Sequence, residues 1–274
     1  VVENPVRTAS DDLMERVAVE MGVGDTFHLT PVGGFFGGPG QAPGETVPDP
    51  YFGGAGPNRR TCLNCGECMT GCRHHAKNTL VKNYLGLAES AGAQVHPMTT
   101  VTGFEQRSDG VWEVRTARTG RTLRTKRRTF TATHVVLAAG TWGTQKLLFK
   151  MRDNGKLPKL SDRLGVLTRT NSESIVGAGR LQVKPDLDLT HGVAITSSIH
   201  PTSDTHIEPV RYGKGSNSMG LLQSILTTPR PGQKRWKTWA SEMVRQRADA
   251  ARLLDVRRWS ERAVIALVMA AATS

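Results

Sequence analysis

All four cysteines of this 274-residue chain lie within eleven residues of the stretch "TCLNCGECMTGCRHHAKNT", Thr61 to Thr79. Cys62, Cys65, Cys68 and Cys72 follow the spacing C-x2-C-x2-C-x3-C. Such spacing lets a coiled loop wrap several sulfurs round one point, and Gly66 and Gly71 give its backbone the freedom to do so. A chain of this length buries a core without disulfide staples. Bridges Cys62–Cys65 or Cys68–Cys72 would close very tight loops and remove little chain entropy. The run matches the bacterial ferredoxin pattern for iron–sulfur ligation, except that Arg73 replaces the usual proline. A structural zinc site usually pairs two cysteine knuckles across a longer stretch, which is missing here. Four readings therefore stand open: an iron–sulfur cluster, zinc, disulfides, or a cysteine-rich loop holding no metal. In the metal readings Cys62, Cys65, Cys68 and Cys72 are the ligands. Arg59, Arg60, Arg73, His74, His75 and Lys77 flank the thiols, and their charge is expected to lower the thiol pKa values.

The net charge is +12 and the pI near 10.0, a balance that favours anionic partners without choosing among them. "RTARTGRTLRTKRR", Arg115 to Arg128, carries seven basic residues and no acidic one, and its alternation predicts a hairpin turning at Thr119–Gly120. No aromatic residue interleaves with it, and the chain shows neither a helix–turn–helix pattern nor paired zinc knuckles. A nucleic-acid partner is not expected. Trp236 to Leu254 predicts a basic amphipathic helix. Its arginines, with Arg257 and Arg258 beyond it, are read either as solvated or as a peripheral hold on an anionic bilayer. The longest apolar run, Ala263 to Ala272, is too short to cross a bilayer and is read as a core strand or helix. No signal peptide is visible, so the expected location is cytoplasmic or peripheral to a membrane. The chain opens with Val and stops just after the apolar run, and a piece of a longer protein is expected.

Local patterns predict a helix over Asp11–Gly22 and a clearer one over Asn78–Ala91, where Leu80, Val81, Tyr84, Leu85 and Ala88 form one stripe. Between them, Pro31 to Asn58 is dense in Gly and Pro, a composition suited to a binding loop. "HVVLAAG", His134 to Gly140, reads as a buried strand. It runs into a helix carrying Trp142, Leu147, Leu148 and Met151. This strand, small-residue turn and helix start would offer free backbone N–H groups to a phosphate or a flavin. No G-x-G-x-x-G stands between a strand and a helix in this chain.

Four stretches, taken in order, carry a family resemblance. They are "CLNCGECMTGCRHHAKNTLVKNYLGLAESAGAQVHPMTTV", "HVVLAAGTWGTQKLLFKM", "LPKLSDRLGVLTRTNSES" and "HIEPVRYGKGSNSMG". The chain resembles the glucose–methanol–choline oxidoreductase family, in its bacterial cholesterol-oxidase-like branch with a cysteine-rich loop. The resemblance implies a mixed α/β (α+β) fold: a partial FAD-binding Rossmann-like domain over 1–170, which includes the cysteine stretch 61–79, and a partial antiparallel-sheet substrate domain over 171–274. It implies FAD and oxidation of a sterol-like or other hydrophobic alcohol, with hydride passing to the flavin. Val101 would border the adenine; Ala139, Gly140 and Thr141 would lie against the cofactor; Asn171 would begin the crossing to the substrate domain. Glu208 is the candidate proton acceptor. The dinucleotide glycines are expected before Val1 and the catalytic His after Ser274, so the fragment alone is expected to hold FAD poorly and be inactive. His75 stands where relatives carry Gly, either straining the turn or adding a ligand. The alternative is an iron–sulfur electron-transfer protein centred on Cys62–Cys72.

Overall fold

The computed structural model describes residues 1–121, 125–169, 172–228 and 230–270. In chain order the elements are β1 (Val2–Glu3), α1 (Ala9–Glu20), β2 (His28–Leu29), β3 (Pro31–Val32), β4 (Thr46–Val47), β5 (Arg59–Arg60), α2 (Tyr84–Ser90), β6 (Thr99–Gln106), β7 (Trp112–Arg118), β8 (Arg127–Ala132), α3 (Gly140–Asp153), β9 (Ser174–Gly179), β10 (Ser197–Thr202), β11 (Thr205–Val210), α4 (Arg235–Arg245), α5 (Arg247–Leu253), α6 (Trp259–Arg262) and β12 (Ala263–Ala270). Two compact units emerge, one from Val1–Ala91 with Thr170–Ser274, the other from Gly92–Arg169. The first 91 residues thus share a unit with the C-terminal part, a partition different from a division at 170. Antiparallel sheets and helices together make the mixed α/β class expected.

The first unit is organised by a five-stranded antiparallel sheet in the order β2-β10-β11-β12-β9. The apolar run read as a core element supplies β12, paired on both sides, because Val, Ile and Leu suit a strand buried between neighbours. Helix α1 covers part of this sheet: Met14 and Ala18 pack on Ile199, with Ile207 and Val17 alongside. Ile199 is fully buried, which stabilises the unit by about 1.5–3 kcal/mol. Asp11 fixes the helix start. One carboxylate oxygen accepts from the Thr8 N–H and hydroxyl at 2.7 Å each; the other accepts from the Thr196 and Ser197 hydroxyls at 2.5 and 2.6 Å. A capping interaction is thereby joined to the sheet 185 residues away in sequence. A second core gathers Trp259, Val210, Ile265 and Leu267, and the indole Nε1–H of Trp259 donates to Gln223 Oε1 at 2.9 Å.

The second unit is a three-stranded meander, β6-β7-β8, with α3. The basic run forms a hairpin, β7 pairing β8 from Trp112↔Ala132 to Ala117↔Arg127, but it does not turn at Thr119–Gly120 as expected: the Arg118 N–H donates to the Lys126 carbonyl, so the connection spans 119–125, partly outside the described residues, with Gly120 at φ +77°. Met151 of α3 is buried, and its sulfur lies 3.3 Å from where a Cβ on Gly103 would stand. Gly103 is therefore small because the helix packs on the strand there.

Three further expectations need correction. "HVVLAAG" is not a buried strand: 134–138 pair with no strand among the described residues, and Val136 is 87% exposed. A strand of this type takes its ladder and its cover from neighbours, and no described residue supplies them. The predicted Asn78–Ala91 helix is split into a 3-10 turn, Leu80–Lys82, and α2. The Asn83 side chain accepts the Tyr84 N–H and breaks the ladder, a competition asparagine favours. Of its apolar stripe, Leu80, Val81 and Tyr84 are exposed and Leu85 and Ala88 half-buried. The basic helix predicted over Trp236–Leu254 is likewise divided, at Gln246, into α4 and α5. Glu242, in the last turn of α4, accepts from the Arg230, Arg245 and Gln246 side chains just before that break.

Candidate functional site

The cysteine loop is clamped at both ends by the Gly-rich segment before it. Cys62 N–H donates to the Phe35 carbonyl at 2.7 Å, Phe35 N–H to Ala76 at 3.0 Å, and Asn78 N–H to Gly33 at 2.7 Å. The irregular stretch after Pro31 therefore serves as the loop's frame. At its centre the loop is joined to a distant segment: Gly66 N–H donates to the Gly192 carbonyl and Gly192 N–H to Asn64, both at 2.8 Å. Gly66 holds φ +71°, and a Cβ there would meet the Thr190 carbonyl. Only glycine allows this approach.

The loop walls a cavity of about 330 Å³ lined by all four cysteines, His74, Glu67, Gly192–Ile195 and Glu208. The four thiols are free, and Cys65 Sγ lies with Glu67 and His74 in a set of metal-binding atoms all within 4.8 Å of one another. Contrary to the expected lowering, burial pushes the Cys62 and Cys68 thiols up, and the neighbouring cysteines add to the rise. Lys77 pulls Cys68 down but does not overcome desolvation. His75 adopts φ +59°, a conformation L-residues take at a cost of about 1–2 kcal/mol. Its position thus suits the Gly of the resembling family and strains the turn.

Glu208 sits mid-strand in β11, opposite Leu267, with its side chain 16% exposed. Burial raises its pKa; His206, whose Nε2 is 4.0 Å away, and His28 pull it down, while Glu173 pushes it up. His28, His200 and His206 stack in a row at centroid separations of 5.5 and 5.7 Å. Burial, then the charges of the other two rings, lowers the His200 pKa. The structure thus brings Glu208 and the cysteines to one cavity, a juxtaposition absent from the sequence reading.

The proposed flavin contacts belong to the other unit. Ala139, Gly140 and Thr141 are exposed at the start of α3, and Ala139, the N-cap, caps it with no side chain. Gly140 has φ +71° with open space where a Cβ would stand. Uncapped N–H groups at the positive end of a 14-residue helix, beside a glycine with no side chain in the way, are donors of the kind an anionic group of FAD accepts. Val101 lies in β6 and is exposed. Asn171 lies outside the described residues. Two buried arginines had no signal in the sequence beyond their charge. Arg59 is 1% exposed, stacks over Tyr51 and donates to Asn78 Oδ1 at 2.5 Å. Arg211 donates to the Thr196 hydroxyl at 2.6 Å and to the His191 carbonyl, beside Asp11.

Comparison with known proteins gives the class of this mixed α/β chain, a cofactor-dependent oxidoreductase. The FAD dependent oxidoreductase family model matches residues 60–207, more than half of the chain, and the chain belongs to that family. Among curated relatives it is similar to proteins named cholesterol oxidase. Two from Mycobacterium tuberculosis strains, CDC 1551 / Oshkosh and ATCC 25618 / H37Rv, are 70% identical over 274 residues, covering 98% of this chain and 47% of each relative. One from Acinetobacter baumannii is 44% identical over 245 residues, covering 87% of this chain and 44% of that protein. The chain therefore spans about half the length of the curated relatives it matches. These matches bear out the resemblance to the cholesterol-oxidase-like branch and to FAD chemistry, and give no support to the iron–sulfur electron-transfer alternative.

Proposed function

We propose that the chain is part of a flavin-dependent oxidoreductase that oxidises the hydroxyl of a sterol-like alcohol. The observation that carries this reading is the uncapped start of α3 at Ala139–Thr141, inside the stretch matched by the family model. Relatives named cholesterol oxidase support the substrate class. The backbone N–H groups of Gly140 and Thr141 would hold the cofactor, with Val101 at its adenine end. When bound, FAD supplies the two-electron acceptor for hydride from the carbinol carbon. The Glu208 carboxylate takes the hydroxyl proton as the carbonyl forms. Burial makes that carboxylate a stronger base, and His206 at 4.0 Å bears on its charge. The cavity that Glu208 shares with Val193, Ala194 and Ile195 offers apolar walls to a hydrophobic substrate.

The test is a visible spectrum of the full-length protein together with Gly140→Val. Flavin bands at ~370 and ~450 nm are expected in the wild type and weakened in the variant, whose branched side chain stands in front of those N–H groups and strains the φ of +71°. A colourless full-length protein reconstituted with excess FAD would refute the reading.

A peripheral membrane role is proposed on a separate observation. Helix α4 exposes Trp236, Trp239 and Val244 beside Lys237 and Arg245. Aromatic and basic side chains presented together suit an anionic bilayer surface, from which an apolar alcohol would enter. Among the described residues no helix is long and apolar enough to cross a membrane.

A further inference from the structure

We propose that Cys65, Glu67 and His74 form a mononuclear site for a thiophilic divalent cation, zinc in its chemistry. A thiol sulfur, a carboxylate oxygen and an imidazole nitrogen lie mutually within 4.8 Å on the wall of one cavity. Zinc binds these three atom types at about 2.3, 2.0–2.2 and 2.0–2.1 Å, so donors already this close need to converge by only about 1 Å to share one ion. Mixed sulfur, nitrogen and oxygen donors exclude magnesium and calcium, which take oxygen alone.

The loop holds each donor in place. Cys65 is bridged to Gly192 and flanked by the Gly66–Gly192 hydrogen bond. Arg73 holds Glu67 through both carboxylate oxygens, Nε to Oε2 at 3.0 Å and Nη2 to Oε1 at 3.2 Å. A ligating carboxylate that is itself hydrogen-bonded is the usual outer-shell arrangement at metal sites. His74 precedes the left-handed His75, so a strained residue sets the course of the chain at the third donor. Cys62, whose Sγ accepts the Asn64 N–H at 3.4 Å, and Cys68 lie outside that 4.8 Å set. Cys72, on the same cavity wall, or a solvent molecule completes four-coordination. The ion would tie the two halves of the loop together, a structural role that goes beyond the flavin reading and does not depend on it.

Cobalt(II) is the probe, titrated into the reduced chain freed of metal. The expected result is one Co2+ per chain, with the intense ligand-field bands of four-coordination and a thiolate-to-cobalt charge-transfer band. Cys65→Ser abolishes the charge-transfer band, and His74→Gln and Glu67→Gln weaken binding at least about tenfold, the range for lost metal-site partners. Cys62→Ser keeps the bands. His74 is half-buried, so His74→Gln, checked for native circular dichroism, decides the matter even where Cys65→Ser fails to fold. No cobalt uptake by the wild type, a spectrum without thiolate character, or bands that survive His74→Gln but vanish in Cys62→Ser would each overturn the assignment.

Discussion

Replacing Gly66 by alanine isolates the contact that holds the cysteine loop against the 190–194 segment. Gly66 has φ +71°, and Gly22, at the end of α1, has φ +75°. The two share almost the same backbone penalty, about 1 kcal/mol for an L-residue in the left-handed region. They differ in what the new methyl meets. At Gly22 nothing lies within 4 Å, whereas at Gly66 the Thr190 carbonyl oxygen lies under the 3.0 Å that real Cβ atoms respect, and Gly213 Cα and N stand at 3.1 Å. Backbone atoms cannot swing aside like a side-chain tip, so the loop itself must shift. Overpacking of this kind costs about 1–3 kcal/mol. Gly66→Ala should therefore cost about 3 kcal/mol in all and Gly22→Ala about 1 kcal/mol. For a chain of this size these become falls in thermal midpoint of about 6–12 °C and about 2–4 °C. Circular dichroism melts measure the midpoints, and the rate of reaction of the four thiols with a disulfide reagent reports the loop directly, rising only in Gly66→Ala. Equal midpoints for the two variants, or unchanged thiol rates in Gly66→Ala, would refute the reasoning.

Glu208→Gln tests the buried carboxyl. Its pKa is raised on folding, so its share of stability is full below the unfolded value and lost as pH rises through the folded one. The neutral amide should therefore melt higher than wild type at pH ~7 and lose that advantage at pH ~4, below the ordinary glutamate value; a gap of the same size at both pH values would contradict the assignment. For α4, flotation with vesicles should show stronger binding to anionic than to zwitterionic lipid. Lys234→Gln, at the N-cap of α4, with Lys237→Gln should weaken that binding by about 1 kcal/mol per lysine, or about 30-fold together. Indifference to lipid charge would remove the membrane reading.

Features encoded within a few residues were legible from the chain itself. The acidic first turn and closing glycine marked α1, alternation marked the β7–β8 hairpin though not its turn, and the apolar run marked a core element that folds as β12. Helical spacing after a small-residue turn marked α3. Each is a matter of local propensity and period, which a short window contains in full. The ordered motifs also carried the family.

Other features depend on contacts that only the folded chain makes, and no local period holds them. "HVVLAAG" has the composition of a buried strand, yet burial depends on neighbours, and Val136 stands in solvent among the described residues. Flanking basic residues suggested acidic thiols, but the folded loop buries Cys62 and Cys68, and desolvation outweighs charge. Glu67, lying unremarked between two cysteines, acquires meaning only when the turn at 67–70 and the left-handed Gly71 bring His74 back beside it. The shared cavity of Cys62–Cys72 and Glu208 arises because Gly66 lets two backbones touch at Gly192, a meeting that no periodicity in either segment announces.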